Sequence, residues 1–189
     1  VRVNGVPIHG KQGLDIRGKG IKTISQEIPV SLSEGQNTFS VSVLNAKGVE
    51  SLAANLNIEY VPQTGAKPNL HLFTLGVSKH QEGTYDLKYA SKDADDLANL
   101  FQGKQTAFGK VFVHQLTDEA VSPESVKELR AELQKTTVND VVCIFFAGHG
   151  LLDEDLNYFL AAHEVDFESP AKGGIPYETL EDLLDGIPA

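Results

Sequence analysis

Residues 141–147, VVCIFFA, form an unbroken apolar run flanked by Asp140 and by Gly148-His149-Gly150. Seven residues are too few for a buried helix but the right length for a strand covered on both faces, and such strands belong to parallel sheets. The run therefore predicts an α/β architecture. It also places His149 at the carboxyl end of a strand, where doubly wound sheets collect their functional groups.

The surrounding pattern agrees. Residues 71–78 (HLFTLGVS) and 111–116 (VFVHQL) read as strands. Residues 89–102 read as a helix with Ala90, Ala94, Leu97, Ala98 and Phe101 on one face. A second helix is expected from Ser122 as N-cap and Pro123 at the first helical position, with a stripe of Val126, Leu129 and Leu133. A short strand over NYFLAAH and a last helix closing on Gly186 complete the series. Strand and helix in alternation predict a mostly parallel sheet with helices on both faces.

The first 62 residues have a different texture. Short alternating runs are punctuated by Gly and Asn, among them 22–32 (KTISQEIPVSL) and 37–48 (NTFSVSVLNAKG). Phe39, Val41 and Val43 alternate with Ser40 and Ser42, the period of a half-buried strand, while residues 33–37 and 45–48 read as hairpin loops. Four or five strands at this spacing resemble the later part of an immunoglobulin-like sandwich, which takes roughly 100 residues when complete. The expected organisation is an immunoglobulin-like β domain over 1–62, incomplete at its start, a linker over 63–69, and an α/β domain over 70–189.

Charge follows the same division. The net charge of −10 is carried by residues 63–189, which hold ten basic and 21 acidic side chains, whereas residues 1–62 hold six and five. So acidic a surface argues against nucleic acid as a partner. No apolar run approaches the roughly 18 residues of a membrane span, and no membrane partner is expected. The single cysteine, Cys143, excludes an internal disulfide and multi-cysteine zinc sites and leans toward a cytoplasmic location. The chain begins at Val1 and contains no methionine, which reads as a fragment of a longer product.

His149 is the leading chemical candidate. Gly148 and Gly150 remove side-chain bulk on either side of the imidazole, and the Gly150 amide is placed to meet a developing oxyanion. A histidine so presented serves as a general base or as the partner of a thiolate. Cys143, six residues earlier in the apolar run, reads as an inert core thiol. His9, His71, His80, His114 and His163 lack ligand spacing, with only His80 near enough to the strand ends to approach the same mouth. Tyr85 and Tyr89 read as packing residues.

With FFAGHG after a strand, LHLFTLGVSKH before it and LKYASKDADDLANLF between, residues 69–189 resemble the caspase-like cysteine peptidases, in particular the bacterial metacaspase type. The resemblance implies peptide-bond hydrolysis of protein substrates through a Cys–His dyad, with His149 as the histidine and Gly150 in the oxyanion hole. It implies that Asp93 lines the pocket for the residue before the cut, favouring Arg or Lys. In such enzymes the nucleophile lies roughly 50 residues after the histidine, which is past Ala189. A companion chain produced by processing is therefore expected to supply it, and a sensor domain upstream. The alternative is an inactive caspase-like scaffold. No cofactor is expected from the residues. Calcium enters only through the resemblance, because Asp153, Glu154, Asp155, Glu164, Asp166 and Glu168 are clustered but match no EF-hand spacing and read as a solvated acidic loop.

Overall fold

A computed structural model describes residues 1–10, 13–17, 23–62, 65, 67–103 and 107–189. The chain divides into two compact units, Val1–Gly65 and Ala66–Ala189. Residues 63, 64 and 66 of the expected linker, and residue 22 of an expected strand, lie outside the described residues.

In the first unit, β1 (Arg2–Val3), β2 (Val6–Pro7), β3 (Gly35–Val41) and β4 (Ala54–Tyr60) form one antiparallel sheet in the order β2-β1-β3-β4. The register pairs Phe39 with Leu56 and Asn37 with Ile58, so the apolar residues share one face. On the other face the Thr38 and Ser40 hydroxyls donate to Asn57 Oδ1 and Asn55 Oδ1 at 2.9 and 2.7 Å. Residues 35–37, expected in a hairpin loop, are instead the start of β3. Asn37 is fully buried there, its amide donating to the Ser33 and Gly35 carbonyls at 2.7 and 3.0 Å. Residues 23–32, expected as a strand, carry none. Pro29 in their middle lacks the N–H that a ladder needs.

The second unit is built on β5 (Leu70–Gly76), β6 (Val111–Thr117) and β7 (Val141–Ala147), all parallel, in the order β6-β5-β7. β5 is central and buried along its whole length. Between β5 and β6 the chain passes through α1 (Ala90–Gln102), and between β6 and β7 through α2 (Pro123–Glu128) and α3 (Arg130–Leu133). These crossovers run to opposite sides of β5, and because such connections are right-handed they put their helices on opposite faces. α1 approaches closely at Gly76, where an added Cβ would lie 2.6 Å from the Ala90 carbonyl oxygen. On the other face Phe73, Leu75 and Val77 pack with Val126, Leu129, Leu133 and Leu183.

The expected single helix after Ser122 is two pieces. Its start is as read: Ser122 and Ser125 exchange side chain-to-backbone hydrogen bonds in a reciprocal cap. The Leu129 N–H then bonds to the Val126 carbonyl, three residues back, and this tightened turn separates α2 from α3. Beyond β7, β8 (Gly150–Leu152), β9 (Tyr158–Leu160) and β10 (Ile175–Pro176) form a small antiparallel sheet in the order β10-β9-β8, followed by α4 (Tyr177–Leu184).

β7 corrects one expectation. It is half-buried rather than fully covered, and so is Cys143. The reason is its place at the sheet's outer position, with β5 on one side only. A wholly apolar strand at an edge leaves one row of backbone donors and acceptors open.

Candidate functional site

The carboxyl ends of β5, β6 and β7 bring Ser78, Asp118 and His149 to one rim. Asp118 follows β6 in a left-handed conformation, φ 49°. Its Oδ1 accepts hydrogen bonds from the Ser78 and Lys79 amides at 2.7 and 2.9 Å and from the Ser91 hydroxyl at 2.6 Å. Burial works to raise its pKa, but the hydrogen bonds from Ser91, Lys79 and Ser78 outweigh it and hold the carboxyl below the ordinary range. Asp118 thus ties the segment leaving β5 to the start of α1.

That segment carries the partners of His149. His149 is half-buried, and its Nε2 lies 2.9 Å from the Tyr85 carbonyl oxygen. A carbonyl only accepts, so Nε2 bears the proton and, in the neutral ring, Nδ1 carries the lone pair. Among the described residues no hydrogen bond engages Nδ1. Tyr85 ends a three-residue 3-10 turn (Gly83–Tyr85), placed by Asp86, which accepts from the His80 amide at 3.0 Å and pairs with Lys79 Nζ at 2.7 Å.

His80 stands beside His149, with ring centroids 5.4 Å apart. It is 5% exposed; its Nδ1 donates to the Ala162 carbonyl at 3.2 Å, and Nε2 is buried without a partner among the described residues. Burial pushes His80 below the ordinary histidine range, opposed by the Ala162 carbonyl and assisted by the neighbouring His149. A neutral ring therefore flanks His149. Phe167 meets both imidazoles edge-on, with centroids 5.0 Å from His80 and 5.5 Å from His149, and stacks on the Tyr85 ring at 3.8 Å.

Gly150 opens β8. The Ala161 amide donates to the His149 carbonyl at 2.9 Å, and Gly150 pairs with Leu160. Antiparallel alternation then directs the Gly150 N–H away from β9, toward the free side of β8. The Tyr158 ring lies over this position, so that an added Cβ would sit 2.8 Å from its Cζ. A side chain here would have to displace the exposed Tyr158 ring.

Asp93 lies in the first turn of α1, exposed to solvent. That turn packs at the carboxyl end of β5, so Asp93 belongs to the same end of the sheet as His149, but among the described residues no hydrogen bond or ion pair joins them. Two carboxylates of the acidic loop are used internally. Asp153 accepts from the Asp155 and Asn157 amides, and Asp166 from the Glu168 and Ser169 amides. Among the described residues no group of three or more His, Cys, Asp and Glu side chains is arranged to hold a metal ion. Among them, too, no helix is long and apolar enough to cross a membrane.

Asp118, Phe167 and the Tyr85 carbonyl were not singled out from sequence. Asp118 had a usable signal, an acid directly after a parallel strand. So did Phe167, an aromatic residue set between the acids Asp166 and Glu168.

No protein-family model matches the chain, and neither does any curated protein. Among solved structures it is similar to protein GSU0716 from Geobacter sulfurreducens, with a TM-score of 0.51 and 15% identity over 64% of this chain and 46% of that one. The chain thus spans less than half the length of that neighbour. The likeness concerns the fold: a mixed α/β unit with a three-stranded parallel sheet, antiparallel sheets and flanking helices.

Proposed function

We propose that the second unit is the histidine-bearing part of a caspase-like cysteine endopeptidase. The observation that carries this reading is the orientation of His149, whose Nε2 proton is committed to the Tyr85 carbonyl while Nδ1 is left as the base. A base fixed in one tautomer at a strand end, with a bare amide one residue away, suits acyl transfer. His149 would draw the proton from a cysteine thiol. The thiolate attacks the scissile carbonyl, the Gly150 N–H steadies the oxyanion, and the protonated imidazole returns the proton to the leaving amine.

The nucleophile is not Cys143, which lies in β7 six residues before His149 and so on the order of 20 Å along an extended chain. The open side of β7 suits a further parallel strand, and a cysteine at that strand's carboxyl end would reach the rim. The polypeptide that supplies it is taken to follow Ala189, as a companion chain. Asp93 is proposed to favour Arg or Lys before the cut, in keeping with an acidic unit that attracts cationic segments. The first unit is read as an immunoglobulin-like module that spaces the peptidase from a sensor domain.

The test uses the natural full-length product. Peptides with Arg or Lys immediately before a scissile amide bond should be cleaved, a thiol-directed inhibitor should label a cysteine other than Cys143, and His149→Ala should reduce kcat by about 10³-fold. Full turnover by His149→Ala, or labelling confined to Cys143, refutes the peptidase. Preference for Asp before that bond refutes the role of Asp93 alone.

A further inference from the structure

We infer that Phe167 is a positioning residue: stacked on Tyr85, it fixes the turn whose carbonyl accepts the hydrogen bond from His149. The inference rests on the reading of His149 as the base and concerns what keeps that base in one tautomer.

The acceptor is a backbone atom in a one-turn segment. Gly83–Tyr85 is a single 3-10 turn with no buried residue, closed by the Tyr85 amide on the Glu82 carbonyl at 3.1 Å and the Asp86 amide on the Gly83 carbonyl at 3.3 Å. Such turns have poor hydrogen-bond geometry and little rigidity of their own. Just past the turn the backbone is tied by the Asp86 carboxylate to the His80 amide and by the Leu87 amide to the Ser78 carbonyl at 2.8 Å; what grips the Tyr85 side chain is the Phe167 ring, nearly parallel to it at 11°. The same ring is close to perpendicular to both imidazoles, 85° to His80 and 83° to His149. One side chain therefore holds the turn and fills the space beside the base.

Phe167 is itself well held. It follows Asp166, whose amide donates to the Lys172 carbonyl at 3.0 Å and whose carboxylate caps the Glu168 and Ser169 amides. The segment's start is anchored where the Gln81 amide donates to the His163 carbonyl at 2.9 Å and His163 Nδ1 to the Lys79 carbonyl at 2.7 Å. The loop after β9 and the loop after β5 are thus tied backbone to backbone, with the Phe167–Tyr85 stack as their side-chain clasp. Any event that lifts this loop also frees the acceptor of His149.

The experiment reads the His149 tautomer by nitrogen-15 NMR on this chain, above the pH at which histidines protonate. In the unaltered chain, His149 is expected as a single Nε2–H tautomer. Phe167→Leu and Tyr85→Leu should each give a mixture, and Phe167→Tyr should restore the single form. In the assembled peptidase the two leucine variants should lower kcat by about 100-fold with KM unchanged. A single Nε2–H tautomer in Phe167→Leu overturns the inference. So does loss of β5 amide protection in both leucine variants, because the stack would then be an ordinary core contact. Tautomer mixing without peptidase activity in any preparation leaves the clasp standing and removes the peptidase.

Discussion

The two ends of the parallel sheet are built from the same residue types and put to opposite uses. At the amino end Asp140 accepts from the Asn69 and Thr137 amides at 3.1 and 2.8 Å, with His71 Nε2 at 3.7 Å from its second oxygen. At the carboxyl end Asp118 accepts from the Ser78 and Lys79 amides, while His80 and His149 stand beside each other on the same rim. Each aspartate staples the backbone where a strand begins or ends. The imidazoles differ. His71 is 6% exposed and stacked on Phe112 at 4.7 Å, walled into the sheet, whereas His149 is half-buried with one nitrogen free. An aspartate and a histidine together do not make a site; the exposure of the ring decides whether it can meet anything outside the fold.

The largest effects should come from the staples themselves. Asp118→Ala and Asp140→Ala each leave backbone donors without their acceptor and should cost about 3 kcal/mol in urea unfolding, while the Asn variants, which keep an accepting oxygen, should cost about 1 kcal/mol. If Asp118→Ala proved as stable as the unaltered chain, the two ends would not be equivalent staples and the comparison would fail at its first step.

The imidazoles should then part company. His71→Leu removes a buried ring from its stack and from Asp140, and should cost about 1.5 kcal/mol. His149→Leu, at a half-buried position, should cost under about 1 kcal/mol in the same assay while lowering turnover of the proposed peptidase by about 10³-fold. Equal costs would mean that His149 is held for stability, as His71 is.

Much of the staple end and the frame could be read from the chain. β5 and β7 announce themselves by apolar runs, α1 by its Ala90-Ala94-Ala98 stripe, and the start of α2 by Ser122 and Pro123, because these signals are local. His149 was legible for the same reason: a polar residue terminating an apolar strand is visible in one dimension. The half-exposure of β7 was not, since it depends on strand order, which only the crossovers decide. The clasp was less legible still. Tyr85 acts through a carbonyl that every residue possesses, and Phe167 reaches it across 82 positions of sequence, so neither side chain's identity discloses the contact. The break at Leu129 hides for a related reason, since leucine is an ordinary helix residue and the tightening is set by what the helix packs on.

The smallest effect concerns acid, and it tests whether imidazoles sensitive to it lie at mid-sheet as well as at the rim. His80 at the rim and His114, stacked on Phe73 at 4.6 Å, are both held below the ordinary value of 6.5, in each case chiefly by burial. A group whose pKa is depressed on folding binds more protons when unfolded. The stability it contributes is therefore present above 6.5 and is lost as pH falls through its folded value. Asp118 and Asp140, also depressed, add a second loss below their ordinary 3.8. The urea midpoint should thus fall between about pH 7.5 and about pH 5.5, before any carboxylate is protonated, and fall again in stronger acid. His114→Phe keeps a ring on Phe73 and removes one titrating group, so it should shrink the first fall and leave the second unchanged. An unaltered first fall would assign it to His80 alone and confine the acid-sensitive imidazole to the rim.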